Sequence, residues 1–183
     1  MAALIILEGS WQWARLWWYG DNGWLTMIDR AREQRMTGST GPEGLPSPLR
    51  QAQLIRTIGE AVGTSLPAGW SSARFVASMT AGVSDVAMWM TTGGTESRAF
   101  APRPASKAAK QLRELMYEPG KGTWFTMTMV LQPQRRADTT FDYDSEPEFT
   151  PAPIDDAAFV DDLQRFPREA QHIPSWLQAK LDA

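Results

Sequence analysis

The residues with the greatest chemical capacity stand together towards the C-terminal end, in Phe141-Asp142-Tyr143-Asp144-Ser145-Glu146-Pro147-Glu148-Phe149. Four carboxylates at alternate positions, Asp142, Asp144, Glu146 and Glu148, admit several chemistries. A carboxylate pair can hydrolyse a glycoside, but one acid must then sit in an apolar setting beside a sugar-binding cleft, and no other part of the sequence supplies either. Carboxylates also bind Ca²⁺ or Mg²⁺, but this spacing lacks the D-x-[DN]-x-[DN]-G pattern of a calcium loop. The same acids serve equally as a protein-binding surface, or as a solvated strand edge where charge deters aggregation. A strand here points Phe141 and Tyr143 to the core and Asp142 and Asp144 outward together. His172 is the one histidine. As a general base it would need a partner to orient it, and its place in Gln171-His172-Ile173-Pro174, between two elements, reads as a surface or capping residue.

Composition removes other chemistries. The chain has 183 residues and no cysteine, so there is no disulfide framework, thiolate nucleophile or Cys-ligated zinc. A single histidine rules out a histidine-rich metal site. No G-x-x-x-x-G-K-[ST], H-E-x-x-H or G-x-S-x-G is present. These absences shift weight from an enzyme towards a binding protein, and no catalytic residue, metal or cofactor is assigned. Charge is unevenly spread. Positions 138 to 183 carry 11 acidic and 3 basic residues, net −8, whereas the rest of the chain is net +5. An acidic unit of this kind steers a basic partner at long range.

Nine tryptophans are the other distinctive count. Trp11, Trp13, Trp17 and Tyr19 alternate with Gln12, Ala14 and Leu16, a period of two, and Trp18 falls on the opposite face. Asp21-Asn22-Gly23 is a strong hairpin turn, with Trp24 to Ile28 as the return strand. Aromatic residues on both faces of one strand point either to core packing between two layers or to partner contact, with carbohydrate, peptide or single-stranded nucleic acid as the stacking ligands. Net negative charge, and the lack of basic–aromatic interleaving outside Arg135-Arg136, weigh against nucleic acid. Trp17, Trp18 and Asp21 therefore join Asp142, Asp144, Glu146 and Glu148 as candidate partner-binding residues.

The elements that position these residues are read from periodicity. Ser47-Pro48 opens a helix with Leu54, Ile55, Ile58, Ala61 and Val62 on one face. Trp70 to Met79 and Ser84 to Met90 form a hairpin around Thr80 to Val83. Ser106 to Tyr117 is a helix with Ala109, Leu112, Leu115 and Met116 inward. In Thr123 to Leu131, Phe125, Met127, Met129 and Leu131 take one side and Trp124, Thr126, Thr128 and Val130 the other. Thr139 to Asp144 is the paired strand. Asp155 or Asp156 caps a helix bearing Phe159, Leu163 and Phe166; Pro167 stops it, and Pro174 opens a last helix with Trp176, Leu177 and Leu181. Strands in hairpins with helices between them give an α+β fold: an antiparallel sheet with three or four helices packed against it. The apolar run Ala2 to Leu7 is too short for a signal peptide or a membrane span, so a cytoplasmic location is expected. The chain reads as one domain, with 1–44 a Trp-rich N-terminal hairpin extension and 45–183 its core.

Three segments in order carry a family resemblance. Thr140 to Phe149, then Asp161-Asp162-Leu163-Gln164-Arg165-Phe166-Pro167-Arg168, then His172-Ile173-Pro174-Ser175-Trp176-Leu177 resemble the C-terminal signature of the YezG-like family of bacterial immunity proteins: an F-x-Y-D-x-E-P string, a helix ending in F-P-R, and a closing I-P-x-W-[LM]. Leu112 to Met116, Gly122 to Phe125 and Leu66 to Trp70 resemble its actinobacterial members. The likeness is loose over Leu49 to Leu181, good over Phe125 to Leu177, and does not extend to the Trp-rich segment. It implies an antitoxin that binds a cognate toxin domain inside the producing cell and blocks its active site, the toxin being a nuclease or an NAD-degrading enzyme. The open alternatives are a carboxylate-dependent hydrolase using Asp142, Asp144 or Glu146, and a Trp-based carbohydrate- or peptide-binding module.

Overall fold

The computed structural model describes residues 14–18, 47–133, 136–150 and 153–182. Among these, six strands form one antiparallel sheet: β1 (Ala14–Trp18), β2 (Trp70–Met79), β3 (Ser84–Thr92), β4 (Thr95–Ala99), β5 (Thr126–Gln132) and β6 (Arg136–Asp142). Their order across the sheet is β1-β6-β5-β2-β3-β4. The helices are α1 (Ser47–Ser65), α2 (Arg103–Leu115), α3 (Ala157–Arg165) and α4 (Ser175–Leu181), with a 3₁₀ turn at Ala170–His172. The α+β antiparallel architecture expected from the pattern is the one observed.

The main core forms where α1 and α2 cover one face of the sheet. Ile58 and Val62 from α1, and Ala105, Ala108, Ala109 and Leu112 from α2, pack on Phe75, Ala77, Met88, Met127, Met129 and Phe141. Leu54, Ile55 and Ala61 are partly buried beside them, which completes the α1 face read from the sequence. Small alanines on α2 allow the two helices to approach closely. A second, smaller core closes one end: Phe125, Phe149, Phe159 and Leu177, with Trp176 and Ile173 against them. Its rings meet edge-on, Phe125 with Trp176 at 5.3 Å and Phe159 with Trp176 at 5.4 Å, the geometry that ring quadrupoles favour.

Several boundaries differ from the sequence reading, each for a local reason. Helix α2 begins at Arg103 rather than Ser106, because Pro102 is its N-cap and Pro104 occupies the first turn, where a fixed φ and a missing N–H cost nothing. Strand β4 was not foreseen. Gly93 and Gly94 both take positive φ (57° and 81°) and turn β3 directly into it, Thr92 facing Thr95. The strict alternation through Phe125 fails. The chain bends there, so Trp124 enters the main core with Met127 and Met129, while Phe125 enters the second core. Strand β6 starts at Arg136, three residues early, and stops at Asp142, two residues early. Of the N-terminal hairpin, β1 pairs antiparallel with β6, Trp17 opposite Asp138 and Trp18 opposite Ala137; the turn at Asp21 to Gly23 and the return strand lie outside the described residues.

Candidate protein-binding site

Asp142 ends β6 by folding the chain over its own carboxylate. Its Oδ1 accepts from the backbone N–H of Asp144 (3.0 Å) and of Ser145 (2.9 Å), an Asx turn. Asp142 is half-buried and spent on this turn. It therefore does not face outward beside Asp144, as a continuing strand would have required. Burial then alternates, with Pro147 and Phe149 buried and Glu146 and Glu148 exposed. Asp144 is exposed too. Three carboxylates thus project from one short segment whose intervening side chains are anchors.

That segment is fastened along its whole length by the C-terminal elements. Arg168 Nη1 donates to the carbonyl of Tyr143 (3.0 Å) and to that of His172 (3.1 Å), and Nη2 donates to the carbonyl of Thr123. Trp176 Nε1 donates to the carbonyl of Asp144 at 2.6 Å. Lys180 lies between Glu146 (3.1 Å) and Asp156 (3.0 Å). At the far end the N–H of Thr150 donates to Asp85 Oδ2 at 2.8 Å, tying the segment to the start of β3. A loop held at this many points presents its exposed acids without an ordering cost on binding.

Arg168 is the centre of this arrangement, and sequence reasoning, which took Phe166-Pro167-Arg168 as a helix stop, missed it. Its guanidinium fork reaches three carbonyls from three separate segments, a task that suits five planar donors. Burial pushes its pKa down, opposed by the nearby Asp162 and Asp144. A Cβ on Gly122 would run into Arg168 Cγ and Nε, and Gly122 takes φ +77°, so glycine is required there on both counts. Tyr143 is packed against the main core and its hydroxyl pKa is raised to about 12, first by burial and then by Glu118, with Arg168 pulling the other way. The pKa of Lys180 is raised by its hydrogen bonds to Asp156 and Glu146.

These contacts tie the three C-terminal segments of this chain to one another. The F-x-Y-D string supplies carbonyls, F-P-R supplies the guanidinium that binds them, and I-P-x-W supplies the indole that binds the next one. Phe166 is buried and Trp176 packs on Phe125 and Phe159, so these motif residues seal the core, as the sequence reading held. His172 is half-buried and offers its carbonyl to Arg168.

The remaining sequence candidates fall elsewhere. Trp17 and Trp18 are in β1, at the sheet edge beside β6, and Asp21 lies outside the described residues. The hydrolase alternative needs a carboxylate in an apolar cleft, whereas Asp144, Glu146 and Glu148 are exposed. A cleft between the β2–β3 turn and α2, lined by Thr80, Val83, Lys110, Arg113, Arg165 and Phe166 among others, holds only about 30 Å³, far below what an organic ligand fills. Among the described residues no group of three or more Asp, Glu or His side chains is placed to hold a metal ion, and no helix is long and apolar enough to cross a membrane. The chain matches no family model and no curated protein.

Proposed function

We propose that this protein is an immunity protein that captures a toxin domain in the cytoplasm of the producing bacterium and occludes its active site. The observation that carries this reading is the acidic segment from Asp142 to Thr150. It is locked by Arg168, Trp176, Lys180 and Asp85, yet turns Asp144, Glu146 and Glu148 to solvent. Rigid exposed acids suit a basic protein cleft, such as one that has evolved to hold the phosphates of a nucleic acid or of NAD. The signature that resembles the YezG-like immunity proteins supports the same reading, because its residues are the ones that build this loop.

In this reading the partner is a protein, not a nucleic acid, and capture needs neither cofactor nor metal. The decisive experiment is co-expression with a secreted toxin domain encoded by a neighbouring gene. Cells should survive with this protein and die without it, and the two chains should co-purify. Equal killing in both cases would remove the proposal.

A further inference from the structure

Strand β4 ends the sheet on the side away from β1. Natural edges are blunted by short length, charged side chains, prolines, bulges or cover; β4 is short and charged, but its two charges are of opposite sign, so a second copy can pair with them. Here Glu96 and Arg98 stand two residues apart, on one face, with Ser97 between them. All three are exposed, and Phe100, just past the strand, is 100% exposed.

The register shows which backbone groups are free. Gly93 and Gly94 form a two-residue turn with positive φ at both positions, so the flanking pair Thr92 and Thr95 exchange both hydrogen bonds. Alternation then gives the same narrow pairing to Met90 with Ser97 and Met88 with Ala99. Glu96 and Arg98 therefore turn their N–H and C=O outward, away from β3. Among the described residues nothing pairs with them.

We propose that β4 pairs antiparallel with β4 of a second copy of this chain, about a two-fold axis at Ser97. In that register Glu96 faces the partner's Arg98, and Arg98 faces the partner's Glu96. Both pairs use the outward backbone groups, giving four hydrogen bonds across the axis, and both bring opposite charges face to face. Phe100 comes opposite the partner's Gly94, where a side chain would meet no atom within 4 Å; an aromatic ring across from a glycine covers its bare backbone. Arg98 gains most. In the monomer it lies in a row with Trp89 and Arg74, Arg74 stacked 4.2 Å over the Trp89 ring, and the acid in that neighbourhood, Glu96, leans 3.7 Å towards Arg74. The second copy brings Arg98 an acid of its own. The charge pattern is thus self-complementary, which selects a second copy over an unrelated strand. The two sheets join into one of twelve strands.

Two five-residue strands bury less than a standard interface, so the dimer is weak, with a dissociation constant on the order of 10 µM. Sedimentation of the full chain across about 1 to 500 µM, which brackets that value, should show a monomer–dimer equilibrium. Arg98→Glu places acids opposite acids twice and should weaken the dimer at least about tenfold. Glu96→Arg with Arg98→Glu restores opposite pairing and should bring the constant back to within about threefold of wild type. Arg98→Pro removes an outward N–H that β3 does not use, so the monomer folds and the dimer is lost. A monomer at every concentration, a dimer untouched by Arg98→Glu or Arg98→Pro, or a double reversal that fails to recover it would overturn the proposal.

Discussion

Arg113 on α2 and Asp162 on α3 meet in a buried, two-pronged ion pair, with Nη1–Oδ1 and Nη2–Oδ2 both at 2.9 Å and side chains only 3% and 2% exposed. Arg113 Nε donates to the carbonyl of Trp124 (2.8 Å), and its own carbonyl accepts from Thr123 Oγ1 (2.7 Å). The Phe166 ring lies 4.9 Å beneath the guanidinium. One side chain thereby joins the main core, through α2 and Trp124, to the second core carried by α3.

Removing one member of such a pair strands a buried charge. Asp162→Ala should therefore cost about 3 to 5 kcal/mol of stability, read from urea unfolding. Replacing both, as Arg113→Met with Asp162→Leu, removes the stranded charge and should recover most of that loss. About 1 to 2 kcal/mol should remain, because the Trp124 carbonyl loses its donor. A double variant as unstable as the single one would show that the pair does not act as a unit.

Arg168 should control the order of the acidic segment. Arg168→Ala leaves three carbonyls without their donor and should cost about 2 to 4 kcal/mol. Its sharper signature is local: amide hydrogen exchange from Tyr143 to Phe149 should accelerate beyond what the global loss explains. Arg168→Lys keeps the charge but not the fork, and should rescue little of that protection. Uniform acceleration over the whole chain would instead make Arg168 a general core residue.

What the sequence revealed and what it hid follow from the range of the interactions. Leu54, Ile58 and Val62 recur at helical spacing and do bury one face of α1, and Pro167 and Pro174 mark helix ends through their own backbone geometry. Those signals are local. Arg113 interrupts the apolar pattern of α2, and its partner lies 49 residues on, so nothing nearby announces it. Arg168 binds carbonyls, which carry no residue identity, and its role was invisible for that reason. Thr95 to Ala99 has no apolar alternation because β4 is an exposed edge. The acids Asp144, Glu146 and Glu148 were legible as exposed; the use of Asp142 in a turn was not, since it depends on where β6 stops.

The raised pKa of Tyr143 makes stability fall at alkaline pH. Burial favours the neutral phenol, so the folded group titrates at about 12 against 10.0 for the exposed one. Its contribution is whole below the unfolded value. It falls as pH climbs between the two, because the unfolded chain loses its proton first. Lys180 adds to the same trend: its pKa is raised by Asp156 and Glu146, so its contribution is whole below the unfolded value of 10.5 and is lost as pH rises through the folded one. Urea midpoints measured from pH 9 to 11.5 should drop steeply for wild type, and less steeply for Tyr143→Phe, which keeps the packing without the ionisation. Parallel curves for the two proteins would remove Tyr143 from the account.

The acidic segment can be separated from the fold by choosing the right acids. Asp142 builds the turn and Glu146 pairs with Lys180, so substitution of either disturbs structure. Asp144 holds the loop through its backbone, N–H to Asp142 and carbonyl to Trp176, while its exposed carboxylate acts on Arg168 only through its charge, and Glu148 is exposed. Asp144→Lys with Glu148→Lys should therefore leave unfolding within about 0.5 kcal/mol of wild type, since exposed charges contribute little. If the proposed basic toxin cleft is the partner, the double reversal should slow association about tenfold or more at low salt, with a much smaller change in dissociation, because exposed charge acts on encounter more than on the docked complex. The difference should shrink as salt shortens the screening length. An association rate equal to wild type at low salt would mean that Asp144 and Glu148 only solvate the loop, and that the toxin docks elsewhere.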